Sequence, residues 1–230
     1  MATLILVDGP ASSGKGTLAA RLAQHFGFQH LDSGTFYRAV AARQLLTQED
    51  TIVIVDSLGV DDFTTRDLRS QYVSRRTALI SAIPEVRAAI NNHLRRRILG
   101  SKGVVMDGRA GAAEFPEAQA KIYLDASLEE RARRRFRQLH VSGAKVRLSL
   151  VMEELRVRDD QDQAREVSPL KKDLYPYRID STEMDAATVF LEAVDLCDYQ
   201  FNLIEAQHTM WQTPRVRNSD AGRTHLNRIF

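Results

Sequence analysis

Residue types typical of exported or membrane-embedded proteins are scarce in this 230-residue sequence. Cysteine occurs once, at Cys197, which excludes a disulfide within the chain and is typical of a reducing compartment. No apolar run approaches the roughly 18 residues of a membrane-spanning helix, and no basic segment with a cleavage site precedes the first apolar run. The sequence therefore predicts a cytoplasmic protein with no membrane partner.

An excess of charge of either sign is also missing. The 32 Lys and Arg residues and 30 Asp and Glu residues give a formal net charge of +2, so charge alone does not predict nucleic-acid binding, and no motif indicates it. The hydrophobic content of 43% and the charged content of 27% are typical of a globular protein. A chain of this length can form one α/β domain with a sizeable core and a smaller inserted element.

The most informative segment is a glycine-rich loop, GPASSGKGT, between the apolar run Leu4–Val7 and a helical pattern that begins at Leu18. A loop in this setting binds phosphate, because its backbone N–H groups converge and the helix N-terminus adds positive potential. The general pattern has Ser or Thr directly after the lysine, whereas here Gly16 comes first. The alternative is an ordinary turn. The predicted ATP-binding residues are Gly9, Pro10, Ala11, Ser12, Ser13, Gly14, Lys15, Gly16 and Thr17.

Apolar runs separated by helical patterns predict a parallel sheet flanked by helices. The predicted strands cover residues 3–8, 28–32, 104–107, 121–126 and 177–180. We expect a turn at 33–35 before the second helix and a final helix that begins at Ser181 or Thr182 and ends near Leu196. Residues 198–230 form a polar tail that does not indicate a packed domain.

The region between about residues 44 and 100 has a less regular pattern and predicts a small, mostly helical insertion. The run 51–55 fits a helix or a strand, 61–65 is turn-like, and 66–83 has a helical pattern. Pro84 suits the first turn of a further helix, which would place Val86, Ile90 and Leu94 on one face.

Polar side chains follow two of the predicted strands. Asp107 ends the strand that begins at Val104, and a carboxylate there in a P-loop protein helps to hold Mg²⁺, directly or through water. The alternative is an aspartate that caps the next turn. Tyr37 and Arg38 follow the second strand, at the edge where ligands bind in open α/β sheets.

Two predicted helices carry most of the clustered basic residues. The first places Arg131 on one face with the arginines three and four residues further on, and the second places Arg158, Asp162 and Arg165 on one face. Solvated basic faces and surface salt bridges are the simpler interpretation. The alternative is a two-helix flap that lowers guanidinium groups onto a phosphate chain.

Together these motifs resemble the bacterial cytidylate kinases, within the nucleoside monophosphate kinases. The resemblance runs from Thr3 to about Leu196. The matching segments are DGPASSGKGT at 8–17, LDSGTFYR at 31–38, PEVR at 84–87, VMDGR at 105–109 with FPEA at 115–118, residues 128–135, and RDDQDQAR at 158–165. It implies a P-loop NTPase three-layer fold with a core of about 1–43, 101–128 and 166–197, an NMP-binding insertion of about 44–100 and a lid of about 129–165.

The resemblance implies transfer of the ATP γ-phosphoryl group to a nucleoside 5′-monophosphate, with CMP or dCMP as the first choice. Mg²⁺ would be held by Thr17, directly or through water, and by Asp107 through water. The implied catalytic residues are Lys15, Asp107, Arg131 and Arg158. The implied acceptor-binding residues are Ser33, Tyr37, Arg38, Arg87, Arg109, Asp162 and Arg165.

The chain departs from the family at two positions that read the base. An aspartate that contacts the cytosine amino group follows the DGR arginine in the family, but here the residue is Ala110, and the loop to Phe115 is one residue shorter. A serine that helps to read the base is replaced by Ala78. The loss of polar partners weakens discrimination between bases, because a hydrogen-bonding site rejects a ligand that leaves its groups unpaired.

Two further hypotheses therefore stay open. One is a P-loop kinase with a different nucleotide or a small metabolite as acceptor, favoured by Ala78 and Ala110. The other is a regulatory nucleotide-binding protein without turnover, favoured only by the unmatched tail. We expect a monomer, with association through the tail as the alternative.

Overall fold

The computed structural model describes residues 2–64, 68 and 70–212, and its centre is a five-stranded parallel sheet. The spatial order is β2-β3-β1-β4-β5, so the first strand lies in the middle. Every neighbouring pair is parallel, which confirms the predicted α/β class. The strands are β1 Thr3–Asp8, β2 Gln29–Asp32, β3 Gly103–Gly108, β4 Ala120–Asp125 and β5 Tyr177–Asp180.

Helices cover both faces of the sheet and extend beyond its carboxyl edge. In the described part of the chain they are α1 Lys15–Phe26, α2 Ser33–Thr47, α3 Thr51–Asp56, α4 Asp61–Thr64, α5 Gln71–Ile80, α6 Pro84–Leu99, α7 Gly111–Glu114, α8 Leu128–Val141, α9 Leu148–Gln163 and α10 Ala186–Gln212, with a 3-10 turn at Lys172–Leu174. No described helix combines the length and apolar character needed to cross a bilayer.

The central strand β1 divides the hydrophobic core into two halves. Successive side chains of a strand point to opposite faces. Leu4 and Leu6 accordingly pack against residues of α2, α3 and α6, whereas Ile5 and Val7 pack against α1 and α10. Because both faces are covered, the strand consists of apolar residues up to Asp8, where it reaches the edge of the sheet.

Local sequence signals fix several helix boundaries. Gly27 ends α1 in the left-handed conformation at φ 66°, which glycine adopts without strain. Pro84 is in the first turn of α6, whose Val86, Ile90 and Leu94 are buried as predicted. Ser127 caps α8, because its hydroxyl accepts a hydrogen bond from the Glu130 backbone N–H.

Three predicted turns or ambiguous segments are helical. Residues 33–35 form the first turn of α2, because Asp32 caps it and its Oδ1 accepts the Thr35 N–H at 3.1 Å. The run 51–55 lies in α3, capped by Asp50, and 61–64 form the short α4. Of the helical pattern predicted over 66–83, the structure has α5, and residues 65–67 and 69 lie outside the described residues.

The final helix differs from its prediction at both ends. It begins at Ala186, and it continues past Leu196 to Gln212. Cys197 and Phe201 extend its apolar stripe by one turn, and the Phe201 ring packs edge-on against Phe26 with 5.7 Å between centroids. The start of the predicted tail is therefore part of the core, and residues 213–230 lie outside the described residues.

The two basic helices pack against each other next to the glycine-rich loop. Ala132 of α8 packs with Val151 and Leu155 of α9, and Ala11 of the loop belongs to the same apolar cluster. This small core holds the arginine-bearing faces of both helices close to the carboxyl edge of the sheet.

Candidate active site

The glycine-rich loop connects β1 to α1 and depends on glycine at two positions. Gly9 has φ 154°, and a Cβ there would lie 2.1 Å from the Leu124 carbonyl oxygen. Gly14, directly before α1, has φ 99°. At both positions a residue with a side chain would be strained, so glycine is required there. The loop leads into the N-terminus of a 12-residue helix, which adds positive potential. This is the geometry of a phosphate-binding loop.

Lys15 begins α1 and turns back over the loop, where its Nζ donates to the Pro10 carbonyl oxygen at 2.9 Å. Burial lowers the pKa of Lys15, whereas the nearby carboxylates of Asp107 and Asp8 oppose this effect. The ammonium group thus lies between the loop and the ends of β1 and β3. Thr17 lies in the first turn of the helix and is exposed.

A buried carboxylate below the loop was not predicted from the sequence. Asp8 is 1% exposed, and its Oδ2 accepts the Tyr175 hydroxyl at 2.6 Å and the Gly111 N–H at 2.8 Å. Burial raises the pKa of Asp8 to about 7, against these two hydrogen bonds and the charge of Lys15. Its position at the end of β1, directly before the loop, is the only sequence signal for such a role.

Asp107 lies near the end of β3, which continues one residue beyond its predicted end, to Gly108. Its Oδ1 lies 2.7 Å from Nε2 of His30, and its backbone carbonyl accepts the Ser33 hydroxyl at 2.9 Å. Its Oδ2 lies 3.5 Å from the point where a Cβ on Gly16 would stand. The carboxylate of Asp107 and the hydroxyl of Thr17, in the first turn of α1, are hard oxygen donors of the kind that Mg²⁺ prefers. Among the described residues, no three His, Cys, Asp or Glu side chains form a metal site by themselves.

The N-terminal half of α2 directly follows β2 and brings Tyr37 and Arg38 to the carboxyl edge of the sheet. Arg38 Nη2 lies 2.6 Å from Asp32 Oδ2 and donates to Thr35 Oγ1 at 2.7 Å. Burial by itself would raise the pKa of Asp32, but Arg38 and the hydrogen bonds from Thr35 lower it below its usual value. The buried Tyr37 hydroxyl has no hydrogen-bond partner in the described part of the chain.

Arg87 of α6 is buried in an ion pair that the sequence did not reveal. Its Nε donates to Glu114 Oε1 at 2.9 Å, its Nη2 contacts the same oxygen, and its Nη1 donates to the Ser81 carbonyl at 2.9 Å. The guanidinium carbon lies 5.5 Å from the centroid of the Tyr37 ring. Arg87 therefore reaches the acceptor side of the cleft with Glu114 attached.

The two alanines that replace polar residues of the family also lie in this region. Ala110 is buried at the start of α7, directly after Arg109. Ala78 lies in α5, and its carbonyl accepts the Ser81 hydroxyl at 3.1 Å. Neither position offers a polar side chain to a ligand.

Arg131 of α8 is held by the protein on three sides. Its Nε donates to the Ala126 carbonyl at 2.9 Å, and its Nη1 donates to the Ala11 carbonyl at 3.2 Å and contacts Asp159 Oδ2. Asp159 Oδ1 in turn accepts the Ala11 N–H at 3.1 Å. Arg131, Asp159 and the loop therefore form one buried network, in which the sequence predicted site roles for Arg131 and the loop but not for Asp159.

A second network joins α9 to Arg109, the residue directly after β3. Asp162 is 2% exposed, and its two carboxylate oxygens contact Arg109 and Arg165. The helix predicted to include Arg165 ends at Gln163, so Arg165 contacts Asp162 from just beyond α9 and not from a shared helix face. Arg109, directly after β3, contacts the other carboxylate oxygen. These three predicted acceptor residues lie together.

Guanidinium groups from α2, α6 and α9 converge on the cleft above the loop. Burial and the like charges of Arg87 and Arg158 lower the pKa of Arg165 to about 10. Desolvation and the like charge of Arg38 lower the pKa of Arg158, which also affects Lys15. Within the described chain, no carboxylate lies within salt-bridge distance of Arg158. A phosphate group would relieve this repulsion.

Comparison with known proteins gives a family for this arrangement. The cytidylate kinase family model matches residues 5–198. The chain belongs to the cytidylate kinase family. It is therefore a P-loop phosphotransferase, as the resemblance implied, and ATP is the phosphoryl donor of such kinases.

Relatives with this name align over nearly their full length. The cytidylate kinase of Methylocella silvestris is 39% identical over 212 residues, which cover 89% of this chain and 98% of that protein. The cytidylate kinase of Acinetobacter baylyi is 37% identical over 223 residues, covering 85% of this chain and 96% of that protein. An uncharacterized protein from Eubacterium ventriosum shares the fold, with a TM-score of 0.55 and 13% identity over 86% of this chain and 99% of that one.

Proposed function

We propose that this protein transfers the γ-phosphoryl group of ATP to CMP or dCMP, with ADP and CDP or dCDP as products. The observation that carries this proposal is the proximity of two cations beside the phosphate loop. Lys15 begins α1 at the loop, and the charge of Arg158 in α9 acts on it. Within the described residues, no carboxylate lies within salt-bridge distance of Arg158. Such chemistry needs alignment and neutralised charge rather than a covalent intermediate.

On the donor side, the loop binds the phosphates of ATP through its backbone N–H groups. Lys15 would exchange its bond to the Pro10 carbonyl for a terminal phosphate oxygen and stabilise charge on the transferred group. The predicted ATP-binding residues 9–17 all belong to this loop or to the first turn of α1.

On the acceptor side, the arginines and hydroxyl groups at the ends of β2 and β3 bind the monophosphate. Asp162 contacts Arg109 and Arg165, so that their guanidinium groups are oriented before the acceptor binds. The residues proposed to contact the acceptor are Ser33, Tyr37, Arg38, Arg87, Arg109, Asp162 and Arg165.

Mg²⁺ fits the oxygen donors beside the loop, where Asp107 would hold it through water and Thr17 directly or through water. When bound, it neutralises charge on the phosphate chain. The chain's own part is to fix the carboxylate of Asp107, which His30 contacts, while the Ser33 hydroxyl donates to the Asp107 backbone carbonyl.

The two lid helices would bring charge to the reaction and exclude water from it. Arg131 is fastened to the loop and to Asp159, so it positions the lid, and Arg158 remains available for the phosphates. Water exclusion matters because hydrolysis of ATP is the competing reaction.

The two alternatives are not favoured. A different acceptor rests on Ala78 and Ala110, yet the relatives that align over nearly their full length are named cytidylate kinases. A regulatory protein without turnover is disfavoured by the presence of Lys15, Asp107 and Arg158 at the cleft. We further propose a cytoplasmic monomer, with the single cysteine, Cys197, buried in the core.

A panel of acceptors tests this function. ADP release is measured with ATP, Mg²⁺ and, in turn, CMP, dCMP, UMP, AMP and a non-nucleotide alcohol. We expect the largest kcat/KM for CMP or dCMP. Preference for another acceptor would support the hypothesis of a P-loop kinase with a different acceptor. ATP binding without turnover on any acceptor would support the hypothesis of a regulatory nucleotide-binding protein.

A further inference from the structure

On the acceptor side lies a partly buried carboxylate, that of Glu114, which the proposed mechanism does not use. Glu114 is the last residue of α7, five positions after Arg109, and its side chain is 12% exposed. Arg87 contacts its Oε1 through both Nε and Nη2. Among the described residues, no donor contacts Oε2. One carboxylate oxygen is thus held and the other remains available.

The surroundings place Glu114 on the acceptor side rather than in the core. Arg87 lies 5.5 Å from the Tyr37 ring, and the charge of Glu114 acts on both Tyr37 and Arg165. Tyr37 is 8% exposed, and its hydroxyl is unpartnered within the described chain. A ligand that enters beside Tyr37 and Arg165 would therefore meet the Arg87–Glu114 pair.

The backbone of Glu114 is fixed independently of its side chain. Arg95 Nη2 contacts the Glu114 carbonyl, and the Arg95 guanidinium lies 4.6 Å from the centroid of the Phe115 ring. Arg95 of α6 therefore stabilises the connection between Arg109 and Phe115, which is one residue shorter than in the family. This support keeps the carboxylate in one place before a ligand binds.

We propose that Glu114 is the residue that selects the base, by accepting a hydrogen bond from an exocyclic amino group through Oε2. This inference rests on the proposed function and specifies its acceptor. Cytosine presents an N4 amino donor beside acceptors, which suits a carboxylate held by a guanidinium group. Uracil presents an O4 acceptor at that position, which the carboxylate repels. Ala110 and Ala78 contribute no polar group, so the selection falls to Glu114.

The experiment compares kcat/KM for CMP and UMP in the full chain and in Glu114→Gln. A glutamine amide accepts from an amino group or donates to an oxo group, so we expect the CMP-to-UMP ratio to fall by about tenfold or more. The KM for ATP stays unchanged. Glu117→Gln is the matched control, because Glu117 is exposed, lies in the same segment and pairs only at 3.4 Å with Arg95. An unchanged ratio in a folded Glu114→Gln protein would overturn the inference.

A second measurement needs no variant and keeps the test valid if Glu114→Gln does not fold. The substrate is the CMP analogue with hydrogen in place of the 4-amino group. We expect the unmodified protein to use it about tenfold less efficiently than CMP, and equal use would overturn the inference. An unmodified protein that phosphorylates no nucleotide at all would instead contradict the proposed function.

Discussion

Asp159 of the lid helix α9 accepts a hydrogen bond from the backbone N–H of Ala11 in the phosphate loop, with 3.1 Å between Oδ1 and N. Its other oxygen contacts Arg131, which also donates to the Ala11 carbonyl. One buried carboxylate therefore joins both helices of the proposed lid to the loop that we propose binds ATP. Lid and loop are parts of a single polar network rather than separate binding elements.

Removal of this carboxylate should destabilise the protein strongly. In Asp159→Ala the buried guanidinium of Arg131 loses its counter-ion, and we expect the free energy of unfolding to fall by about 3–5 kcal/mol. Urea denaturation measures the change. Asp160→Ala is the control at the adjacent position, because Asp160 is exposed and pairs with Arg156 on the surface, so it should cost at most about 0.5 kcal/mol. Equal losses in the two variants would contradict the network.

Asp8 should make the protein less stable as the pH rises. Its pKa is about 7 in the folded state and close to 3.8 when unfolded, so between these values the folded state holds a proton that unfolding releases. The free energy of unfolding then falls with pH, by up to about 1.4 kcal/mol per pH unit from this group.

The variant Asp8→Asn isolates this effect, because it keeps an acceptor for Tyr175 and Gly111 but cannot ionise. Urea denaturation at pH 5 and pH 8 gives the stability of both proteins. We expect the unmodified protein to lose stability relative to the variant on going to pH 8. The same difference at both pH values would show that Asp8 does not titrate in this range.

Substitution of Asp107 should change the requirement for Mg²⁺ more than the affinity for the acceptor. Asp107→Asn keeps a partner for His30 but removes the charge beside the loop, so the Mg²⁺ concentration for half-maximal activity should rise about tenfold. Mg²⁺ titrations of ADP release measure it, and EDTA should abolish the activity. Asp125→Asn is the control at the end of β4, two strands away in the sheet, where the carboxylate accepts the Ala126 N–H. An equal rise in the control would remove Asp107 from the site.

Lys15 should be essential for turnover and dispensable for folding. Burial disfavours its charged form, so Lys15→Ala should leave the fold intact while kcat falls by about a hundredfold or more. Circular dichroism and ADP release with CMP measure the two effects. Lys102→Ala provides an exposed control. Retained turnover with an unchanged spectrum would remove the role assigned to Lys15.

The sequence could predict those parts of the site that depend on near neighbours. The loop from Gly9 to Thr17 is a local strand–turn–helix pattern, and Pro84 in the first turn of α6 follows from the preference of proline for that position. The position of Asp107 near the end of β3 follows from an apolar run and its polar stop.

Contacts between distant segments could not be predicted in this way. Asp8 and Tyr175 are 167 residues apart, and Ala11 and Asp159 are 148 apart, so no periodicity links them. The same holds for the packing of Phe201 on Phe26, which keeps α10 in the core beyond its predicted end. These pairings depend on the order of the strands in the sheet.

The most direct test of the proposed function is identification of the product. Purified protein is incubated with ATP, Mg²⁺ and CMP, and the nucleotides are separated and identified by mass spectrometry. The proximity of Lys15 and Arg158 beside the loop predicts CDP and ADP in equal amounts, with formation of both slowed about a hundredfold or more by Lys15→Ala. ADP together with free phosphate, and no CDP, would contradict it.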